Sequence, residues 1–202
     1  MAFPVLEQFL RQRFSLMDAG LLMVFFNHLA GRDFFSDGDL DLPEAEKKDL
    51  ILLGYEERLF LPVKTKSGPA WEDRIMDFDP TAVYEIPRVV RAIPEAFQES
   101  GGFSFQGIVE ATVSGILPGS TDLVAPFLEM LIPHCRARCF EAGLLSLFYE
   151  RFRFGLDLHG LLDFFVISGM MSPCPHKSLR TGLSFYEVSP VLFWGNPIKG
   201  GS

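Results

Sequence analysis

Much of this chain reads twice. The segment Asp18–Phe26 (DAGLLMVFF) returns as Glu141–Tyr149 (EAGLLSLFY). Before it, Pro4–Glu7 (PVLE) returns as Pro126–Glu129 (PFLE). After it, Leu40–Leu42 (LDL) returns as Leu156–Leu158, and Asp49–Gly54 (DLILLG) returns as Asp163–Gly169 (DFFVISG) with one insertion. The four blocks keep their order, so the chain is read as one unit of structure built twice. Residues 1–79 form unit one and residues 123–194 form unit two. The stretch 80–122 is an insert, and 195–202 is a flexible tail. In the insert, Ile86–Gln98 and Phe105–Leu117 carry helical apolar spacing, while Pro80, Pro87, Pro94, Pro118 and Gly101-Gly102 break it. The insert is therefore two short helices packed on the units, not a loose linker.

Within unit one, Leu16–Ala30 is apolar almost all round, which predicts a buried central helix. The repeat places its counterpart at 139–152. Gly20 and Gly143 lie inside these helices, where a glycine costs about 1 kcal/mol relative to alanine. That predicts a close approach by another element at both positions. Asp37-Gly38-Asp39 is a turn signal. A second helix then starts with Asp41 as N-cap, Pro43 in the first turn and Glu44 as capping-box partner. It runs to Gly54. Leu59–Val63 reads as a strand, Lys64–Ala70 as a Gly/Pro turn and Trp71–Phe78 as a second strand. In unit two, Cys174–Leu183 is the turn and Ser184–Phe193 the second strand.

Helix, turn, helix and then a β-hairpin is the order of a winged-helix unit, and Leu52–Leu61 (LLGYEERLFL) resembles the junction between its third helix and first wing strand. The chain thus resembles a tandem winged-helix-like repeat joined by a helical insert. Its fold class is mainly α with small β-hairpins (α+β). The short middle helix of the usual unit is not clear in either copy. Resemblance of fold implies no particular function.

A winged helix that binds DNA lays one helix in the major groove and a wing on the backbone. That helix needs Arg, Lys, Asn or Gln on its outer face. The two candidates, Pro43–Gly54 and Leu158–Ser168, are acidic and apolar respectively. The formal net charge is −8, against the basic footprint that phosphate binding needs. DNA binding through basic wings (Lys64, Lys66, Arg74, Lys177, Arg180) is therefore the alternative function, with nucleic acid disfavoured as a partner.

The favoured reading is a non-enzymatic protein-interaction or regulatory module. Phe occurs 21 times against 4 Tyr and 2 Trp, and the mean hydropathy is +0.20. Two small cores absorb only part of that apolar area. Phe103, Phe105, Phe164 and Phe165 are expected to form a surface for a protein partner or a homodimer. The competing expectation is that the insert bridges the units into one larger core.

Unit two also gathers Cys135, Cys139, Cys174 and His176. Cys135 and Cys139 read as one above the other on a helix. Three thiolates and an imidazole suit tetrahedral zinc, which makes a metal-binding sensor the second alternative. The spacing is no standard knuckle, and small buried thiols explain the cysteines better. No metal or other cofactor is expected. Phosphate-loop, nucleophile-elbow and zincin motifs are absent, so no catalytic residue is expected either. Asp157 beside His159 reads as a helix N-cap. No run reaches the roughly 18 apolar residues of a membrane helix, and Glu7 among the first residues is wrong for a signal peptide. Three cysteines, an odd count, point to a reducing cytoplasm.

Overall fold

The computed structural model describes residues 3–76, 78–79, 81–114, 116 and 121–195. From residue 196 onward the expected tail lies outside them, as do Pro80 and Pro118. Helices dominate, with two small antiparallel sheets of three strands each, which is the mainly α class with small β elements.

Pro4 opens α1 (Pro4–Arg13), where its missing N–H costs nothing. Ser15 caps α2 (Leu16–His28) by accepting the Asp18 N–H. This helix buries Ala19, Leu21, Leu22, Phe25 and Phe26, but Leu16 and Met17 stay exposed. The chain then enters β1 (Phe34–Ser36) and a single 3-10 turn, Asp37–Asp39. Ser36 donates from its backbone N–H and its hydroxyl to the Asp39 carboxylate. These bonds and Arg32 hold that carboxyl down to about 2. Next come α3 (Glu44–Glu56), β2 (Leu61–Pro62) and β3 (Val83–Glu85). The insert supplies α4 (Arg88–Arg91), α5 (Ile93–Ser100) and α6 (Phe105–Val113). The second half contains α7 (Thr121–Leu131), β4 (Cys139–Glu141), α8 (Ala142–Tyr149), α9 (Leu158–Ile167), β5 (Met171–Pro173), α10 (Pro175–Thr181) and β6 (Phe185–Val188).

The strand order is β1-β3-β2 in the first sheet and β4-β6-β5 in the second. Each half therefore repeats helix, strand, helical turn or helix, helix and two strands, with the last strand in the middle. Several sequence expectations need correction. The strand expected at Trp71–Phe78 is instead a 3-10 turn at Trp71–Asp73. The middle strand of the first sheet is Val83–Glu85, beyond the expected boundary at 79. The helix expected at 139–152 begins as strand β4, because Cys139–Glu141 pairs with Phe185–Glu187 of β6. Hence α2 precedes its strand whereas α8 follows its own, and the two do not hold equivalent places. The later repeat blocks, at Asp49–Gly54 and Asp163–Gly169, do fall at the ends of α3 and α9. Pro43, not Asp41, is the N-cap of α3. The stretch expected as a turn after Cys174 is the helix α10, and β6 ends at Val188 before a 3-10 turn at Pro190–Phe193.

Alternation sets the sheet faces. Phe35 and Tyr84 point inward and stack at 5.1 Å, with Phe60 edge-on to Phe35 at 4.9 Å. Phe34 and Val83 point outward and are exposed. In the second half Phe127 stacks on Phe165 at 5.8 Å. A third aromatic group, Phe9, Phe97, Phe103 and Trp194, joins α1, the insert and the C-terminal turn. The buried apolar residues of both halves and the insert form one continuous cluster. The insert thus bridges the two halves into one larger core, as in the competing expectation.

The glycine expectation also needs correction. A side chain at Gly20 meets nothing within 4 Å, and at Gly143 it meets only a side-chain oxygen of Glu141. Close neighbours are found instead at Gly54, Gly169 and Gly195. Gly20→Ala is accordingly expected to stabilise the chain by about 0.5–1 kcal/mol. A higher urea midpoint with unchanged slope would show it.

Candidate functional site

The helices α3 and α9 hold the place of the third helix in each half, so their outer faces are the first candidates. Glu44, Glu46, Lys48, Asp49, Leu52 and Glu56 of α3 are exposed. Lys47 is turned in, 14% exposed, between Asp37 and Glu44. On α9 the exposed residues are His159, Asp163 and Ile167, and Ile167 is 76% exposed. Asp157 caps this helix by accepting the Gly160 N–H at 2.7 Å. His159 pairs with Asp163 across one turn at 3.5 Å, not with Asp157.

The wing cations differ among themselves. Lys64 and Lys66 lie on the exposed loop after β2. Arg74 is turned inward, donating to the Pro62 carbonyl at 3.1 Å and to Glu85 at 3.2 Å. It is 13% exposed and cannot reach a phosphate, which corrects its assignment as a nucleic-acid contact. Lys177 lies over the Phe185 ring at 4.5 Å. Arg180 is exposed near the end of α10.

Of the four aromatic candidates, Phe164 and Phe165 are core, 6% and 0% exposed. They are not an interaction surface. The reason is that α9 packs between β5 and α8, so neighbouring residues on adjacent sides of the helix both find apolar partners. Phe103 and Phe105 are half-buried and line a groove of about 420 Å³ with Glu129, Ile132, Pro133 and Leu192.

The cysteine group resolves into a pair. Cys135 and Cys139 do not share a helix, because Cys135 follows a 3-10 turn and Cys139 opens β4. Arg136 and Cys139 close a two-residue turn by exchanging both backbone bonds. Ala137 and Arg138 adopt φ of 49° and 65° within it, a left-handed conformation costing roughly 1–2 kcal/mol per non-glycine residue. Cys139 and Cys174 meet with their sulfurs 3.7 Å apart. His176 is turned away, its ring 71% exposed and 3.5 Å from Glu72. Cys135 is half-buried beside the Leu131 carbonyl, and burial pushes its thiol up to about 11. No three metal-ligating side chains converge among the described residues, so the four zinc candidates do not form one site.

A family model matches residues 32–141. The match spans more than half of the 202 residues. The chain belongs to that family. The family region takes in the first sheet, α3, the insert, α7 and β4, and so crosses from one half into the other. No curated protein and no solved structure matches the chain.

The seam between the halves was missed by sequence reasoning. The Trp71 N–H donates to the Ser172 hydroxyl at 2.9 Å, and the His176 N–H to Glu72 at 2.6 Å. Glu187, 13% exposed, lies between Arg58 at 3.6 Å and Arg138 at 3.7 Å. Arg58 leaves α3 with φ 54° and stacks over Tyr55 at 4.7 Å. An arginine where a helix-ending glycine is usual is the one signal that sequence offered.

Proposed function

We propose that this chain is a non-enzymatic protein-interaction or regulatory module, built from two winged-helix-like units and working in the cytoplasm. Support for the winged-helix likeness comes from the repeated order of elements, with the last strand of each half in the middle of its sheet. The interaction reading rests on one observation: the outer faces of α3 and α9 lack a basic stripe. Four carboxylates face one lysine on α3, and α9 presents His159, Asp163 and the exposed Ile167, with no lysine or arginine. Such faces repel phosphate and suit a protein surface. Three free cysteines support a reducing compartment. No helix among the described residues is long and apolar enough to cross a membrane.

A mobility-shift titration with random-sequence duplex at low salt tests the reading against its rival. The expected result is no retarded band at micromolar protein. Tight binding that weakens steeply with salt would overturn it in favour of a DNA-binding regulator using Lys64, Lys66, Lys177 and Arg180.

A further inference from the structure

The fold and the interaction reading leave one cluster of nucleophilic groups unused. Cys139 opens β4, and Cys174 directly follows β5, the two strands that flank β6. Their sulfurs come within 3.7 Å. Cys139 is half-buried and Cys174 buried, so a small reagent reaches the first before the second. The charged groups acting on the pair are Arg138 from the turn, Lys177 from α10, Glu187 from β6 and Glu72 from the first half, and Cys139 in turn acts on Cys135. Either thiol can donate in this contact; with the more buried Cys174 as donor, and with help from Lys177 and Arg138, this outweighs burial and Glu187 and lowers Cys139 to about 7. Cys174 is raised well above the ordinary thiol range, chiefly because it keeps the shared proton. One thiol is thus an accessible nucleophile, and the other stands ready to resolve what forms on it.

We propose that Cys139 and Cys174 are a peroxide-sensitive dithiol, a modification site whose reagent is hydrogen peroxide or another small hydroperoxide. The Cys139 thiolate attacks the peroxide. A sulfur–oxygen bond forms and the oxygen–oxygen bond breaks. The departing hydroxide takes a proton and leaves as water. Cys139 has lost two electrons and is a sulfenic acid; the peroxide has gained them. Cys174 then attacks the Cys139 sulfur. A sulfur–sulfur bond forms, the sulfur–oxygen bond breaks, and the hydroxide leaves as water with the proton given up by Cys174. In total, two thiols and one hydrogen peroxide become one disulfide and two waters. Closing from contact to a bond of about 2.05 Å draws the start of β4 and the start of α10 toward each other across β6. The product ties β4 across β6 to the start of α10. It does so beside Glu187, which holds Arg58 of the first half.

The full-length chain, reduced and freed of reductant, is exposed to a small excess of hydrogen peroxide at neutral pH. Its intact mass is expected to fall by two hydrogens, and a non-reducing digest to join the Cys139 and Cys174 peptides with Cys135 still free. Cys174→Ser is expected to stop at the sulfenic acid, trapped as a dimedone adduct on Cys139. Without peroxide, iodoacetamide at pH 7 is expected to label Cys139 at least about tenfold faster than Cys135. A bond to Cys135, cross-linking only between chains, or unchanged thiols after exposure would overturn the proposal. The wild-type digest needs no variant to fold.

Discussion

Phe165→Ala is expected to remove about 3–5 kcal/mol of stability, the usual cost of truncating a buried phenylalanine. Phe165 is 0% exposed. Its ring lies parallel to Phe127 at 5.8 Å, and Phe127 in turn meets Phe152 and Phe154 edge-on. Truncation leaves a void among these rings that the surroundings fill only in part. Domains of this kind hold only about 5–15 kcal/mol in total, so the variant sits near its unfolding threshold. Ile167→Ala, two residues along the same helix, is the control. That side chain is 76% exposed, and its loss should change stability by no more than about 0.5 kcal/mol. Urea midpoints of the two variants measure the difference. An undisturbed midpoint for Phe165→Ala would mean that α9 turns its aromatic face outward, and the core described above would be wrong.

That contrast also shows what the residues disclosed unaided. The apolar content of α2 and α9 and the Asp157 cap follow from local rules, and each lies where those rules put it. The insert was legible as helices for the same reason. Its break at Gly101 is a left-handed helix end with φ 67°. Strand β3 was not legible. Three residues, Val83 to Glu85, are too few for alternation to stand out, and the strand is fixed by β1 and β2 on either side of it. Trp71 carries strand propensity, but its N–H is taken by Ser172 of the other half. The match between Asp18–Phe26 and Glu141–Tyr149 misled for a physical reason. Ala-Gly-Leu-Leu is a helix-face pattern that suits any buried helix. Only the pairing of Glu141 with Phe185 fixes where the second helix starts.

The cysteine pair lies further from what sequence can reveal. Cys139 and Cys174 are far apart in the chain and meet only through the register of three strands. Spacing instead suggested Cys135 with Cys139, which a strand opening at Cys139 separates. Arg74 is a similar case. Its charge suggested an outer wing contact, yet Glu85 at the end of β3 draws it inward. Both errors arise where tertiary pairing, not local propensity, sets the direction of a side chain.

Gly169→Ala is expected to cost about as much as a core truncation, although it adds a methyl group instead of removing a ring. Gly169 follows α9 with φ +74°. Its N–H donates to Val166, and the Met170 N–H reaches back to Phe165, the left-handed ending that glycine favours. An alanine there loses roughly 1–2 kcal/mol to the left-handed conformation alone. Its Cβ would also stand 2.4 Å from the Cβ of Pro87 and 3.3 Å from its Cα. Pro87 cannot swing aside, because it is the N-cap of α4 and its carbonyl accepts from Val90. The neighbouring Val89 N–H donates to the Ser168 carbonyl at 3.0 Å, so the methyl would pry at a hydrogen bond between the insert and the second half. Overpacking of this kind adds about 1–3 kcal/mol, for a total of roughly 2–5 kcal/mol. Gly20→Ala, on an open helix face, makes the same chemical change with the opposite sign. Thermal unfolding of the two variants side by side measures both. A Gly169→Ala protein as stable as the parent would mean that α9 and the insert do not meet at Pro87.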